Sequence, residues 1–101
     1  MHLVQLLLPT ADNSGQPFPP ELFGGLRREL TDRFGGATVF SRSPADGFWR
    51  SEEGTSHDEI VVFEVMCEVL DESWWRERRK RLEQAFRQDE IVIRIQEIRL
   101  L

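Results

Sequence analysis

Residues Asp58–Leu70 alternate in character with a period of two. Val61, Phe63, Val65, Cys67 and Val69 point one way, and Ile60, Val62, Glu64, Met66 and Glu68 point the other. The run is rich in valine and other strand-favouring residues, so it predicts a β-strand with two unlike faces. One face is wholly apolar and requires a core. The other mixes apolar and charged side chains. Such a strand is stable only inside a sheet, and the rest of the chain must supply its neighbours.

Three further runs do so. Leu3–Leu8 is a short apolar segment stopped by Pro9, and residues 10–17 are dense in structure breakers. Ala37–Arg42 reads as a second strand, interrupted by Ser43–Gly47 and resumed at Phe48-Trp49-Arg50 as a bulged or bent edge. Glu52-Glu53-Gly54-Thr55 reads as a hairpin turn. Near the C-terminus, Ile91, Ile93 and Ile95 point one way, and Val92, Arg94 and Gln96 the other.

Two helices lie between these strands. Pro19-Pro20 suits a first helical turn, and Leu22, Leu26, Leu30 and Phe34 recur every four positions on one face. Gly24-Gly25 within this helix costs about 1 kcal/mol per glycine relative to alanine, a cost that close approach of the backbone to a sheet would explain. Gly35-Gly36 supplies the stop. Asp71 is a good cap for a second helix running to about Gln88, with Trp75, Leu82 and Phe86 on one face and Trp74 and Ala85 beside it.

The order β-α-β-β-α-β is that of the ferredoxin-like split βαβ unit. It predicts an α+β fold: a four-stranded antiparallel sheet of spatial order 4-1-3-2, with right-handed crossovers placing both helices on one face. Residues 1–101 form one such domain, and 40% hydrophobic content with 10% aromatic content is enough for its core. The opposite face stays bare. On this register it carries Leu3, Gln5, Leu7, Val62, Glu64, Met66, Val92, Arg94 and Gln96, too apolar a cluster for full solvation. The expected partner is a second copy, a homodimer packed through the open sheet face.

The element order, the chain length and the half-apolar sheet resemble the dimeric α/β-barrel proteins, in which two ferredoxin-like units pack sheet to sheet around a cavity. Arg33–Thr38, Gly47-Phe48-Trp49-Arg50 and Asp71–Trp75 also resemble stretches in small bacterial proteins of an uncharacterised family. The resemblance implies the fold and the dimer, and it carries no chemistry.

Gln5, Glu64 and Arg94 are the candidate ligand-binding residues, since all three fall mid-strand on the open face; Trp49 and Trp74 are candidate walls or rims. A carboxylate beside a guanidinium in an enclosed space is held ionised, able to orient a polar ligand or act as a base. An ordinary interface salt bridge uses the same residues. The first functional reading is therefore a small-molecule-binding or structural dimer without catalysis and without a cofactor. The second is a cofactor-independent enzyme of the dimeric barrel class, a monooxygenase or isomerase acting on a small organic acid, with Glu64 as base and Arg94 as anion partner. The site asparagine of such enzymes has no counterpart, because Asn13, the sole asparagine, lies in a loop. That favours the first reading.

Other classes lose their signals. A net charge of −5 repels phosphate backbones, so no nucleic-acid partner is expected. The basic run Arg76–Arg81 has helical i,i+4 acids in Glu72/Arg76, Glu77/Arg81, Arg79/Glu83 and Glu83/Arg87, and reads as a solvated face. His2 and His57 are the only histidines, and the acidic stretch around His57-Asp58-Glu59 lacks the fixed spacing of a metal site. Cys67, the single cysteine, allows no internal disulfide, reads as a small buried hydrophobe and suits a reducing cytoplasm. No apolar run approaches the ~20 residues that cross a bilayer, so no membrane partner is expected. The N-terminus lacks a basic lead-in or cleavage pattern and reads as a strand, not a signal peptide.

Overall fold

The computed structural model describes residues 1–42, 49–51, 54–56 and 59–101, with side chains described for 1–40 and 59–101. In chain order the elements are β1 (His2–Pro9), α1 (Pro20–Phe34), β2 (Thr38–Arg42), β3 (Trp49–Ser51), β4 (Gly54–Ser56), β5 (Ile60–Cys67), α2 (Glu72–Ala85) and β6 (Val92–Glu97). β2, β5, β1 and β6 form one antiparallel sheet in that order, which is the expected ferredoxin-like topology. The alternation along β5 sets the layering. Val61, Phe63 and Val65 join Val4, Leu6 and Leu8 of β1 in the core, against Leu26 and Leu30 of α1 and Trp75 and Leu82 of α2. Both helices therefore cover the same side of the sheet.

Helix ends follow local chemistry. Pro19 caps α1 in an extended conformation and Pro20 takes the first helical position, where a missing N–H is harmless. Gly35 closes the helix at φ 80, a left-handed conformation that costs a side chain about 1–2 kcal/mol. Asp71 opens α2 by accepting the Trp74 backbone N–H at 3.1 Å.

Several expectations are corrected. The segment beginning at Trp49 does not extend β2: Trp49, Arg50 and Ser51 pair with Ser56, Thr55 and Gly54 as a separate two-stranded hairpin. Pairing between residues so close in sequence closes a very short loop and has a low entropic cost. β5 ends at Cys67, and Val69, expected on the core face, is exposed. α2 ends at Ala85, short of Gln88. There Phe86 turns into the core and Arg87 takes φ 50, while the Gln88 N–H donates to the Glu83 carbonyl at 2.9 Å and the Arg87 N–H to the Gln84 carbonyl at 3.2 Å. This is a Schellman closure made without glycine. Ile95 remains 40% exposed because a groove, lined by Trp75, Arg76, Arg79, Ile93 and Ile95, separates α2 from the end of β6. Gly24 and Gly25 do not mark close backbone packing, since a Cβ at either would meet only the Arg28 guanidinium, at 3.6 and 4.0 Å.

The charged side chains also redistribute. Of the expected i,i+4 pairs only Glu77–Arg81 forms among the described residues, at 3.0 Å. Glu83 instead accepts the backbone N–H of buried Ile91 at 3.0 Å, because an unpaired buried N–H costs more than an exposed ion pair returns. Arg78 crosses to Glu29 on α1, and Arg87 crosses to Asp12 at 3.1 Å.

Asp12 organises the loop after β1. Its Oδ1 accepts the Gln16 N–H at 2.9 Å and the Ser14 N–H at 2.8 Å, which, with Arg87, hold the carboxyl below its ordinary value against the opposing effect of desolvation. A carboxyl whose folded pKa lies below its unfolded one adds stability above the ordinary carboxylate range and loses it as pH falls through the lowered value. Urea midpoints of the wild type and Asp12→Asn are therefore expected to differ at pH 7, with the wild type higher, and to converge as the pH falls below the ordinary carboxylate range.

Candidate functional site

Strand register aligns the open face into rows. Glu64 stands opposite Thr38 on β2 and Gln5 on β1, and Gln5 stands opposite Arg94 on β6. Thr38, Glu64, Gln5 and Arg94 thus make one polar row across the full sheet. The row beside it is wholly apolar: Phe40, Val62, Leu7 and Val92. On its other side lie Met66, Leu3 and Gln96.

The polar row is partly wired. The Gln5 Nε2 amide donates to Glu64 Oε1 at 2.6 Å, and both residues are half-buried. Arg94 is exposed and forms no ion pair among the described residues. It does not meet Glu64, because β1 separates their strands by two spacings of about 4.8 Å each, and Gln5 occupies the position between. The structure brings Gln5, Glu64 and Arg94 onto one row, and among the described residues neither the acid nor the base has an ion-pair partner.

Exposed apolar side chains flank this row. Met66 is 50%, Val92 47% and Phe40 41% exposed, whereas Val62, between Leu7 and Phe40 in register, is only 4% exposed. A cleft of about 440 Å³ opens beside Glu64, where Gly35, Gly36 and Thr38 face Leu3, Phe34 and Met66. Thr38, Phe40 and the cleft were not anticipated from the sequence. The period-two alternation of Thr38, Val39 and Phe40 was the available signal.

Trp74 is not part of this arrangement. It lies in the helix layer, edge-on to Phe34 at 5.5 Å and to Trp75 at 4.7 Å, with the Arg33 guanidinium 4.2 Å and that of Arg78 5.4 Å from its ring. Its expected place at the rim of the cavity is corrected: the first turn of α2 directs it toward the end of α1, where aromatic and cationic neighbours share its faces. Trp49 begins β3, and its side chain lies outside the described residues. So do Glu52, Glu53, His57 and Asp58 of the acidic stretch.

Cys67 is half-buried and free, and burial pushes its thiol above the ordinary value. His2 faces Glu97 at 4.0 Å through Nε2, and its buried Nδ1 has no hydrogen-bond partner among the described residues. Among the described residues no three His, Cys, Asp or Glu side chains converge as metal ligands. No helix there is long and apolar enough to cross a membrane.

Comparison with known proteins bears on the fold. No protein-family model matches the chain, and no curated protein matches it by sequence. Solved structures do. A phage SAM lyase in complex with S-methyl-5′-thioadenosine superposes with a TM-score of 0.64 at 15% identity, over 95% of this chain and 80% of that one. A phage SAM lyase in its apo state gives a TM-score of 0.63 at 13% identity, over 94% and 78%. A point mutant of CutA1 from Pyrococcus horikoshii OT3 gives 0.59 at 16% identity, over all of this chain and 86% of that one. These are likenesses of fold.

Proposed function

We propose that the protein is a small-molecule-binding homodimer of a reducing cytoplasm, acting without catalysis and joined through the open sheet face. The observation that carries this reading is the Glu64 carboxylate, held by Gln5 at mid-sheet and set on the wall of the cleft beside Gly35-Gly36. Glu64 is the one ionisable side chain lining that cleft among the described residues, and the other walls are largely apolar. The terminal carbonyls of α1 lie at the same end, adding negative character. The matching ligand is a small organic molecule with a cationic or hydrogen-bond-donating end and an apolar body. Arg94, across β1, suits an anionic group on the far end of a longer ligand.

A second reading is a cofactor-independent enzyme, with Glu64 as base and Arg94 as anion partner. It draws support from the fold shared with the phage SAM lyase, whose structure holds a nucleoside thioether.

Thermal shift with S-methyl-5′-thioadenosine, small organic amines and small organic acids tests both. A ligand present at a hundred times its Kd stabilises by about 2.7 kcal/mol, so a binder is readily seen. Glu64→Gln is expected to weaken binding of the amine or nucleoside hits at least tenfold, and Arg94→Met to weaken acidic hits. Binding unchanged in both variants overturns the site. Turnover of a bound compound that disappears in Glu64→Gln would replace the first reading with the second.

A further inference from the structure

We propose that Glu64 and Arg94 pair between subunits, so that the polar row is completed only when a second copy packs on it. This rests on the open face being the self-association surface. Among the described residues each lacks a charged partner: Glu64 receives the Gln5 amide, and Arg94 forms no ion pair.

The register supplies the geometry. Packed sheets lie about 10 Å apart with strand directions within about 30°. A two-fold axis running along β1, midway between two such sheets, keeps each row at its own height and exchanges left with right. Because β5 and β6 flank β1 and their residues share its rows, the axis brings Gln5 opposite the partner's Gln5. It brings Glu64 opposite the partner's Arg94, and Arg94 opposite the partner's Glu64. The row beside it adds apolar contact at the axis, with Leu7 on the partner's Leu7.

An axis perpendicular to the strands does the reverse, stacking Glu64 on the partner's Glu64 and Arg94 on the partner's Arg94. Like charges so placed oppose association. Charge complementarity thus selects both the occupant, a second copy of this chain, and its orientation. It also makes the binding site composite, since the guanidinium that steadies each Glu64 belongs to the other subunit.

The test is a charge-reversal cycle read as molar mass by light scattering across a dilution series, with circular dichroism confirming the fold of each variant. The wild type is expected to exceed the protomer mass of 11.8 kDa at micromolar concentration. Glu64→Arg and Arg94→Glu are each expected to raise the concentration of half-dissociation at least tenfold, and the double reversal to restore at least half of that loss on a logarithmic scale. The milder Glu64→Gln and Arg94→Met should shift it in the same direction. Single reversals that assemble like the wild type, or a double reversal that recovers nothing while folded, overturn the pairing. Met66→Asp separates the two ideas: if it dissociates the assembly while the charge variants do not, the face is the interface but the ion pair is wrong. A wild type of protomer mass overturns both and leaves the face to a different partner.

Discussion

Phe86→Ala is expected to lose about 3–5 kcal/mol of stability, a large part of the roughly 5–15 kcal/mol that holds a domain folded. Phe86 is completely buried just after α2, edge-on to Phe18 at 5.0 Å and tilted against Phe23 at 5.4 Å. Removing the ring opens a cavity between the loop before α1, α1 itself and the end of α2, three segments that meet at this point. The left-handed Arg87 follows directly, so collapse into the cavity would strain the closure that returns the chain to β6. Phe40→Ala is the control. Its ring lies 41% exposed on the open face, and the expected loss is under about 1 kcal/mol in the dissociated protomer. Urea denaturation of both variants checks the contrast, and equal losses would contradict the assignment of faces.

Gly24→Ala combined with Gly25→Ala is expected to act in the opposite sense, raising stability by about 2 kcal/mol, close to 1 kcal/mol for each glycine replaced in a helix interior. Neither glycine has a positive φ, and the added methyl groups would sit at ordinary contact distance from the flexible Arg28 side chain. At about 4–8 °C per kcal/mol for a domain of this size, the double variant should melt well above the wild type. Gly35→Ala should fall instead, because Gly35 holds φ 80 at the end of α1. A double variant that melts lower than the wild type would mean that the two glycines serve a close contact after all.

Alternation along the strands carried the faces of the sheet but not their register. It assigned Val61, Phe63 and Val65 to the core and Gln5, Glu64 and Arg94 to the open side, since a period of two leaves little freedom once one face is apolar. That the last three share one row depends on how strands distant in sequence slide past each other, and no local pattern encodes that. The same limit hid Thr38 and Phe40: the order 4-1-3-2 gave their strand its neighbour but not its register.

Helix surfaces were less legible for a different reason. Spacing at i,i+4 proposes ion pairs without knowing what else approaches. Glu83 was drawn to the Ile91 N–H, Arg78 to Glu29 and Arg87 to Asp12, each a partner distant in sequence or beyond the helix end. Trp74 moved from the imagined rim to the helix layer because Phe34, Arg33 and Arg78 converge there, a meeting set by how α1 and α2 sit side by side. Ile95, apolar and in phase with Ile91 and Ile93, stayed exposed because α2 does not reach across to it.

The proposed dimer hides the sheet face opposite the helices beneath another copy of the chain. Met66, half-exposed on that face in the isolated protomer, reports on this through its rate of oxidation by dilute peroxide, followed by peptide mass spectrometry with an added methionine-containing peptide as reference. Met66 is expected to oxidise several-fold more slowly than the reference peptide at high protein concentration and to speed up on dilution. A Met66 oxidation rate that does not change with protein concentration would contradict the dimer.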